Sequence, residues 1–188
     1  MGKIAFDSNM YLKMQADHIL ERIKQFDNKL YLEFGGKLFD DYHASRVLPG
    51  FLPDAKVRML SEIKNKTEFI IVANAKDIQS NKLRSDNGIT YESEVLRLIK
   101  TFKSFGISGS VVVTIYMSTP VVDAFITKLT NMGYPVYKHY QIVGYPYDTD
   151  FILSDEGFGK NEFVKTTKPL VIVTAPGPGS GKMATCMS

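Results

Sequence analysis

The residues best suited to chemistry lie near the end of the chain, in a glycine-rich turn at residues 176–182. Small residues at this spacing let consecutive backbone N–H groups point at one anion, and a lysine that opens the next helix can reach the outer phosphates. The predicted phosphate-binding residues are Gly177, Gly179, Ser180, Gly181 and Lys182. The turn therefore predicts binding of ATP, another nucleotide or a phosphate ester.

The turn departs from the full pattern of nucleotide-binding loops in two places. That pattern has a glycine five residues before its Gly-Lys pair and a Ser or Thr directly after the lysine, where the hydroxyl holds Mg²⁺. Pro176 and Met183 occupy these positions. Thr185 lies about 200° around the helix from Met183, so we do not expect it to take over the magnesium role. Mg²⁺ stays compatible with the site but has no identified ligand. The alternative interpretation is a strand-to-helix connection with a solvent-facing lysine.

A second group of candidate residues follows a predicted strand at residues 30–34. His43 and Arg46 stand close to Asp40 and Asp41 in a mixed segment. Because a histidine can act as a general base and an arginine can hold a phosphate, His43 and Arg46 are the predicted catalytic residues. The alternative is that these residues are solvated, or form a local helix whose charges cap and pair.

A third polar segment, at residues 76–90, follows the predicted strand that ends near Asn74. Long polar connections are often functional, so Lys82, Arg84 and Asp86 could close over a ligand. An ordinary surface loop is the equal alternative.

The composition narrows the classes of function. The chain has 188 residues, of which 44% are hydrophobic and 23% are charged, as in globular α/β proteins. Its net charge of +3 is spread without a block of like charges, so we expect neither a nucleic-acid nor a membrane partner. The single cysteine, Cys186, cannot form an internal disulfide, which favours a cytoplasmic location. We expect a small-molecule phosphate ligand as partner, and self-association into a homo-oligomer is left open.

Strand and helix patterns alternate along the chain. Apolar, β-branched runs at residues 68–75, 110–116 and 169–174 predict buried strands, and a further strand is predicted at residues 135–140. Amphipathic helices are predicted between them, one of them with Thr119 as its N-cap. This alternation predicts an α/β, Rossmann-like open sheet, mainly parallel, with helices on both faces. In such sheets ligands collect at the C-terminal ends of the strands, where the glycine-rich turn stands.

We expect two parts in the chain. Residues 1–144 are predicted to form the Rossmann-like domain, and residues 145–188 a connector, a strand and the phosphate-binding loop, as the truncated start of a second nucleotide-binding unit. The sequence stops about two turns into the helix that the loop opens. It is therefore expected to be an amino-terminal fragment of a longer protein, inactive and with weak or absent nucleotide affinity on its own.

Four stretches, at residues 29–51, 88–91, 154–161 and 174–186, closely resemble the bacterial "domain of unknown function 1846" family, also called uncharacterised protein family 0371. The resemblance covers nearly the whole chain. It implies a Rossmann-like protein with a nucleotide-binding loop, for which the form Pro-Gly-Pro-Gly-Ser-Gly-Lys-Met is the family's own version.

The leading hypothesis is the amino-terminal part of a cytoplasmic NTP-dependent enzyme, a transferase or hydrolase of unknown reaction. A noncatalytic module that responds to nucleotide binding is the alternative, and Met183 after the lysine favours it. Some family members carry the label of ATP-dependent peptidase. The sequence has neither a His-Glu-x-x-His helix nor a Gly-x-Ser-x-Gly elbow to support that weaker alternative.

Overall fold

The computed structural model describes residues 6–35, 38 and 41–188, which form five strands and eight α-helices. The strands are β1 (Leu30–Glu33), β2 (Thr67–Asn74), β3 (Gly109–Thr114), β4 (Val136–Lys138) and β5 (Leu170–Thr174). The helices are α1 (Ser8–Gln25), α2 (Tyr42–Val47), α3 (Ala55–Glu62), α4 (Ala75–Gln79), α5 (Tyr91–Ser104), α6 (Pro120–Asn131), α7 (Thr149–Ile152) and α8 (Lys182–Met187). None of the described helices combines the length and the hydrophobicity that a bilayer crossing requires.

The strands form one sheet in the order β1-β5-β2-β3-β4, and every neighbouring pair is parallel. This confirms the predicted α/β class and the parallel sheet. The last strand, β5, lies between β1 and β2, with Glu33 opposite Val173 and Ile71 opposite Thr174. The division of the chain at residues 144 and 145 stays a prediction, and β5 from its second part belongs to this same sheet.

The direction of travel through the sheet determines which face each connection covers. The chain steps from β1 to β2, β3 and β4 in one direction, so right-handed crossovers put these connections on one face. Phe69 and Ile71 of β2 face that side and pack in one core with side chains of α1, α3, α5 and α6. The return from β4 to β5 runs the opposite way and takes the other face, where Ile70 and Val72 pack with Val164 and Cys186 of α8. Helices therefore lie on both faces, with most of them on one.

The helix boundaries follow from local chemistry. Thr119 caps α6, because its side-chain oxygen accepts a hydrogen bond from the N–H of Val122, and Pro120 is the first helical residue. At the start of α1 the cap is Asp7, whose side-chain oxygen accepts a hydrogen bond from the N–H of Met10. Gly133 ends α6 with a φ of 86°, a left-handed conformation that glycine adopts without a steric penalty.

Candidate functional site

The glycine-rich turn leaves β5 at the C-terminal edge of the sheet and crosses the ends of β2 and β3. Gly179 and Gly181 have φ values of 73° and 89°, which strongly favour glycine. Gly177 is required for a different reason, since a Cβ atom there would lie 2.1 Å from the hydroxyl oxygen of Tyr91. At Gly179, by contrast, a Cβ atom would have no neighbour within 4 Å, so this part of the turn faces open space.

Three carbonyl groups of the turn are engaged in hydrogen bonds. The Ser180 hydroxyl donates to Gly177 O at 2.9 Å, and Asn74 Nδ2 donates to Gly179 O at 3.5 Å. The Thr114 hydroxyl donates to Ser180 O at 2.7 Å. Ser180 itself is fully buried. The turn is therefore fastened to the ends of β2 and β3 through its carbonyl oxygens.

Most N–H groups of the same turn have no hydrogen-bond partner among the described residues. In the described part of the chain, no backbone acceptor takes a hydrogen bond from the N–H of Gly177, Gly179, Gly181 or Lys182, whereas the Ser180 N–H closes the tight turn over residues 178 and 179. Unpaired backbone N–H groups donate hydrogen bonds to water or to an anionic ligand. At the start of a helix they also lie at the positive end of the helix dipole. The arrangement can thus accept an anion such as a phosphate group.

Lys182 makes an ion pair with Glu33. Its Nζ lies 3.5 Å from Glu33 Oε1, and its side chain is only 11% exposed, against 41% for Glu33. The alternative of a solvent-facing lysine is therefore wrong. The ammonium group lies between the end of β1 and the turn, in a position set by the carboxylate of the neighbouring strand.

Cys186 packs near this ion pair, one helical turn after Lys182. Burial, reinforced by the negative charge of Glu33, raises the pKa of its thiol to about 11. A thiol with this pKa is protonated at neutral pH, so it is a poor nucleophile.

Two hydroxyl groups flank the turn without a hydrogen-bond partner in the described structure, Thr174 Oγ1 and Thr185 Oγ1. Both residues are buried. The described residues contain no group of three or more His, Cys, Asp or Glu side chains that could hold a metal ion by themselves.

The predicted catalytic residues lie apart from the described contacts of the turn. His43 and Arg46 are exposed on α2, and Arg46 Nε donates to Tyr42 O at 3.2 Å. Asp41 caps α2 through the N–H of Ala44 and pairs with Lys56 at 3.1 Å. A local helix with capping and pairing charges is therefore present. Asp40 lies outside the described residues, and the catalytic role of His43 and Arg46 stays a prediction.

The polar segment at residues 76–90 is held by a buried charge network. The Arg84 side chain is 6% exposed and binds Glu94 as well as Asp86, at 2.5 Å. These bonds fix the segment to α5, which favours a structural role for Arg84. Lys82 pairs with Asp77 at 3.0 Å and its Nζ lies 4.9 Å from the ring centre of Tyr91.

Three residues that contact the turn were not singled out by sequence reasoning: Glu33, Tyr91 and Thr114. Glu33 lies at the end of an apolar strand, shortly before two glycines. A charged residue at this position could have indicated a functional side chain at the edge of the sheet. Tyr91 follows the N-cap Thr90 and points its hydroxyl at Gly177. Only the fold brings these residues together with the turn.

Comparison with known proteins identifies the family. The model of "Domain of unknown function DUF1846, N-terminal" matches residues 4–188. UPF0371 proteins of Streptococcus uberis and Streptococcus sanguinis are each 57% identical to the chain over 189 aligned positions. A UPF0371 protein of Streptococcus pyogenes is 56% identical over the same length. These alignments cover 100% of the chain and 38% of each relative, so the chain spans well under half the length of the curated relatives it matches. The chain belongs to the bacterial DUF1846 family, whose streptococcal members are the UPF0371 proteins.

Proposed function

We propose that the turn at residues 176–182 binds the phosphate groups of a nucleotide, with ATP as the leading ligand. One observation carries the proposal. The turn's carbonyl oxygens at Gly177, Gly179 and Ser180 accept hydrogen bonds from protein side chains, while the N–H groups of its three glycines and of Lys182 have no described backbone acceptor. Carbonyl oxygens that accept hydrogen bonds from the protein do not face an anion bound at the turn, so they repel it little. Backbone N–H groups without a partner attract the same anion.

The surrounding charges and shape support the same proposal. Lys182 supplies a cation at the edge of the turn, and its ion pair with Glu33 holds the ammonium group close to the loop. Gly179 faces open space, which leaves room for a ligand at the loop. The turn also lies at the C-terminal edge of a parallel sheet, where ligands of open α/β folds gather.

For the whole protein, the function proposed is a cytoplasmic NTP-dependent reaction with an unidentified substrate. A noncatalytic module that responds to nucleotide is the second candidate. Two observations favour this second candidate: Met183 replaces the Ser or Thr that would hold Mg²⁺, and His43 and Arg46 have no described contact with the turn. Assays of ATP turnover by the complete protein distinguish the two.

Calorimetric titration of the complete protein with ATP tests the binding proposal. Lys182→Ala removes the cation, and we expect it to weaken ATP binding about tenfold or more, as loss of a charge-assisted hydrogen bond does. Lys100→Ala, which removes an exposed lysine from α5, is the matched control and should bind like the wild type. ATP affinity unchanged in Lys182→Ala, in a variant whose thermal unfolding shows it to be folded, would contradict the proposal.

A further inference from the structure

We infer that the phosphate ligand binds together with a divalent cation, and that Glu33 is the protein carboxylate that holds this cation. The inference rests on the proposed phosphate-binding function and assigns a metal site to the same edge of the sheet. The observation that carries it is the close approach of Glu33, at the end of β1, to Lys182, at the start of α8.

The position of Glu33 follows from the strand register. Glu33 is the last residue of β1 and stands opposite Val173, the penultimate residue of β5. Two parallel strands in this register end at the same edge, so the carboxylate lies beside the start of the glycine-rich turn. The short α8 contacts both strands from the other end of the turn and brings Lys182 to the carboxylate.

The charges then create a conflict that a cation resolves. A phosphate group that reaches Lys182 comes within a few ångströms of Glu33, because Glu33 Oε1 is 3.5 Å from the same ammonium group. Two anions at this separation repel each other strongly in a partly buried site. A divalent cation between the phosphate and the Glu33 carboxylate attracts both of them. The carboxylate, which opposes phosphate binding when no cation is present, then favours it.

The ligand chemistry fits Mg²⁺. In nucleotide sites Mg²⁺ is held by one or two carboxylates together with phosphate oxygens and water, so it does not need a cluster of acidic residues. The side chain of Glu33 is 41% exposed and can therefore offer an oxygen to a hydrated ion.

The rival interpretation is that Glu33 only competes with phosphate for Lys182, as an internal latch. The two interpretations predict opposite effects of removing the carboxylate when Mg²⁺ is present. A latch predicts tighter phosphate binding by Glu33→Gln with or without Mg²⁺. A cation site predicts tighter binding by Glu33→Gln only when no divalent cation is present.

The test is calorimetric binding of ATP and of inorganic pyrophosphate to the complete protein, in Mg²⁺ and in EDTA. We expect Mg²⁺ to tighten binding to the wild type about tenfold or more, and Glu33→Gln to lose most of this gain while binding more tightly than the wild type in EDTA. Glu33→Asp, which keeps a carboxylate, should recover part of the Mg²⁺ response. Glu62→Gln removes the same charge from α3, which packs on the opposite face, and should behave like the wild type.

Each other result decides against the inference in a distinguishable way. An equal response to Mg²⁺ in the wild type and in Glu33→Gln overturns the metal site and leaves phosphate binding intact. Tighter binding by Glu33→Gln under both conditions overturns it in favour of the latch. No binding of either ligand to the folded wild type contradicts the proposed function itself, and the inference falls with it.

Discussion

Thr114, the last residue of β3, donates a hydrogen bond of 2.7 Å to the carbonyl oxygen of Ser180, in the turn that follows β5. The two strands are not neighbours, because β2 lies between them. The bond therefore fastens the turn across the end of the sheet. Both side chains are buried, so water does not easily replace a lost partner. The shape of the turn depends on residues far from it in the sequence.

Thr114→Val removes this hydrogen bond with little change in side-chain volume. The buried carbonyl of Ser180 loses its partner, so we expect the free energy of unfolding to fall by about 1–3 kcal/mol. The turn also becomes less well fixed, so ATP binding should weaken. Urea denaturation measures the first effect and calorimetry the second. Thr130→Val, at an exposed position on α6, is the control, and equal stability of the two variants would contradict the proposed role of Thr114.

Two glycines of the turn should respond differently to alanine. At Gly177 the new Cβ atom would lie 2.1 Å from the Tyr91 hydroxyl, so Gly177→Ala must displace the buried ring of Tyr91. At Gly179 the Cβ atom meets nothing within 4 Å, and the cost comes only from the left-handed backbone at a φ of 73°. We expect Gly179→Ala to lose about 1–2 kcal/mol of stability and Gly177→Ala to lose more. Thermal unfolding of both variants checks the order, and the reverse order would contradict this account of the turn.

Cys186 should resist alkylation in the folded protein. Burial raises the pKa of its thiol to about 11, so very little reactive thiolate exists at neutral pH. We expect slow reaction with iodoacetamide at neutral pH and an acceleration only as the pH approaches that value. Mass spectrometry follows the reaction, and the denatured protein is the control. Equally fast labelling of folded and denatured protein would contradict the buried position of this thiol.

His139 should make the stability of the protein sensitive to mild acid. The side chain is buried at the end of β4, with Nε2 3.2 Å from Glu162 O, and burial lowers its pKa below the ordinary value of 6.5. The unfolded chain therefore takes up a proton first as the pH falls, and stability is lost below about pH 6.5. Glutamine does not titrate, so the free energy of unfolding of His139→Gln should depend less on pH below about 6.5 than that of the wild type. Parallel pH dependence in the two proteins would contradict this role of His139.

The sequence was sufficient to predict elements whose signals are local. The β-branched run of β3, the Thr119-Pro120 start of α6 and the strand before the glycine-rich turn all appear in the fold as expected. The sequence predicted α2 only as an alternative to the catalytic role of His43 and Arg46. This helix is six residues long, and its stability depends on capping by Asp41 and on the ion pair of Asp41 with Lys56.

The strand order and the surroundings of Lys182 required the structure. Nothing in the sequence near β5 indicates that this strand inserts between β1 and β2. That insertion brings Glu33, from the start of the chain, to Lys182 near its end. The pairing is nonlocal, so no spacing rule could predict that the lysine of the turn has a carboxylate partner.

Hydrogen exchange of the turn's own amides tests the central claim most directly. The N–H groups of Gly177, Gly179, Gly181 and Lys182 have no described backbone acceptor, so they should exchange rapidly in the free protein. Mass spectrometry of peptides that cover residues 176–187 reads them in the complete protein, with and without millimolar ATP and Mg²⁺. We predict that ATP slows exchange in these peptides and leaves peptides from α1 unchanged. Exchange of residues 176–187 that stays equally fast in saturating ATP would contradict phosphate binding by the turn.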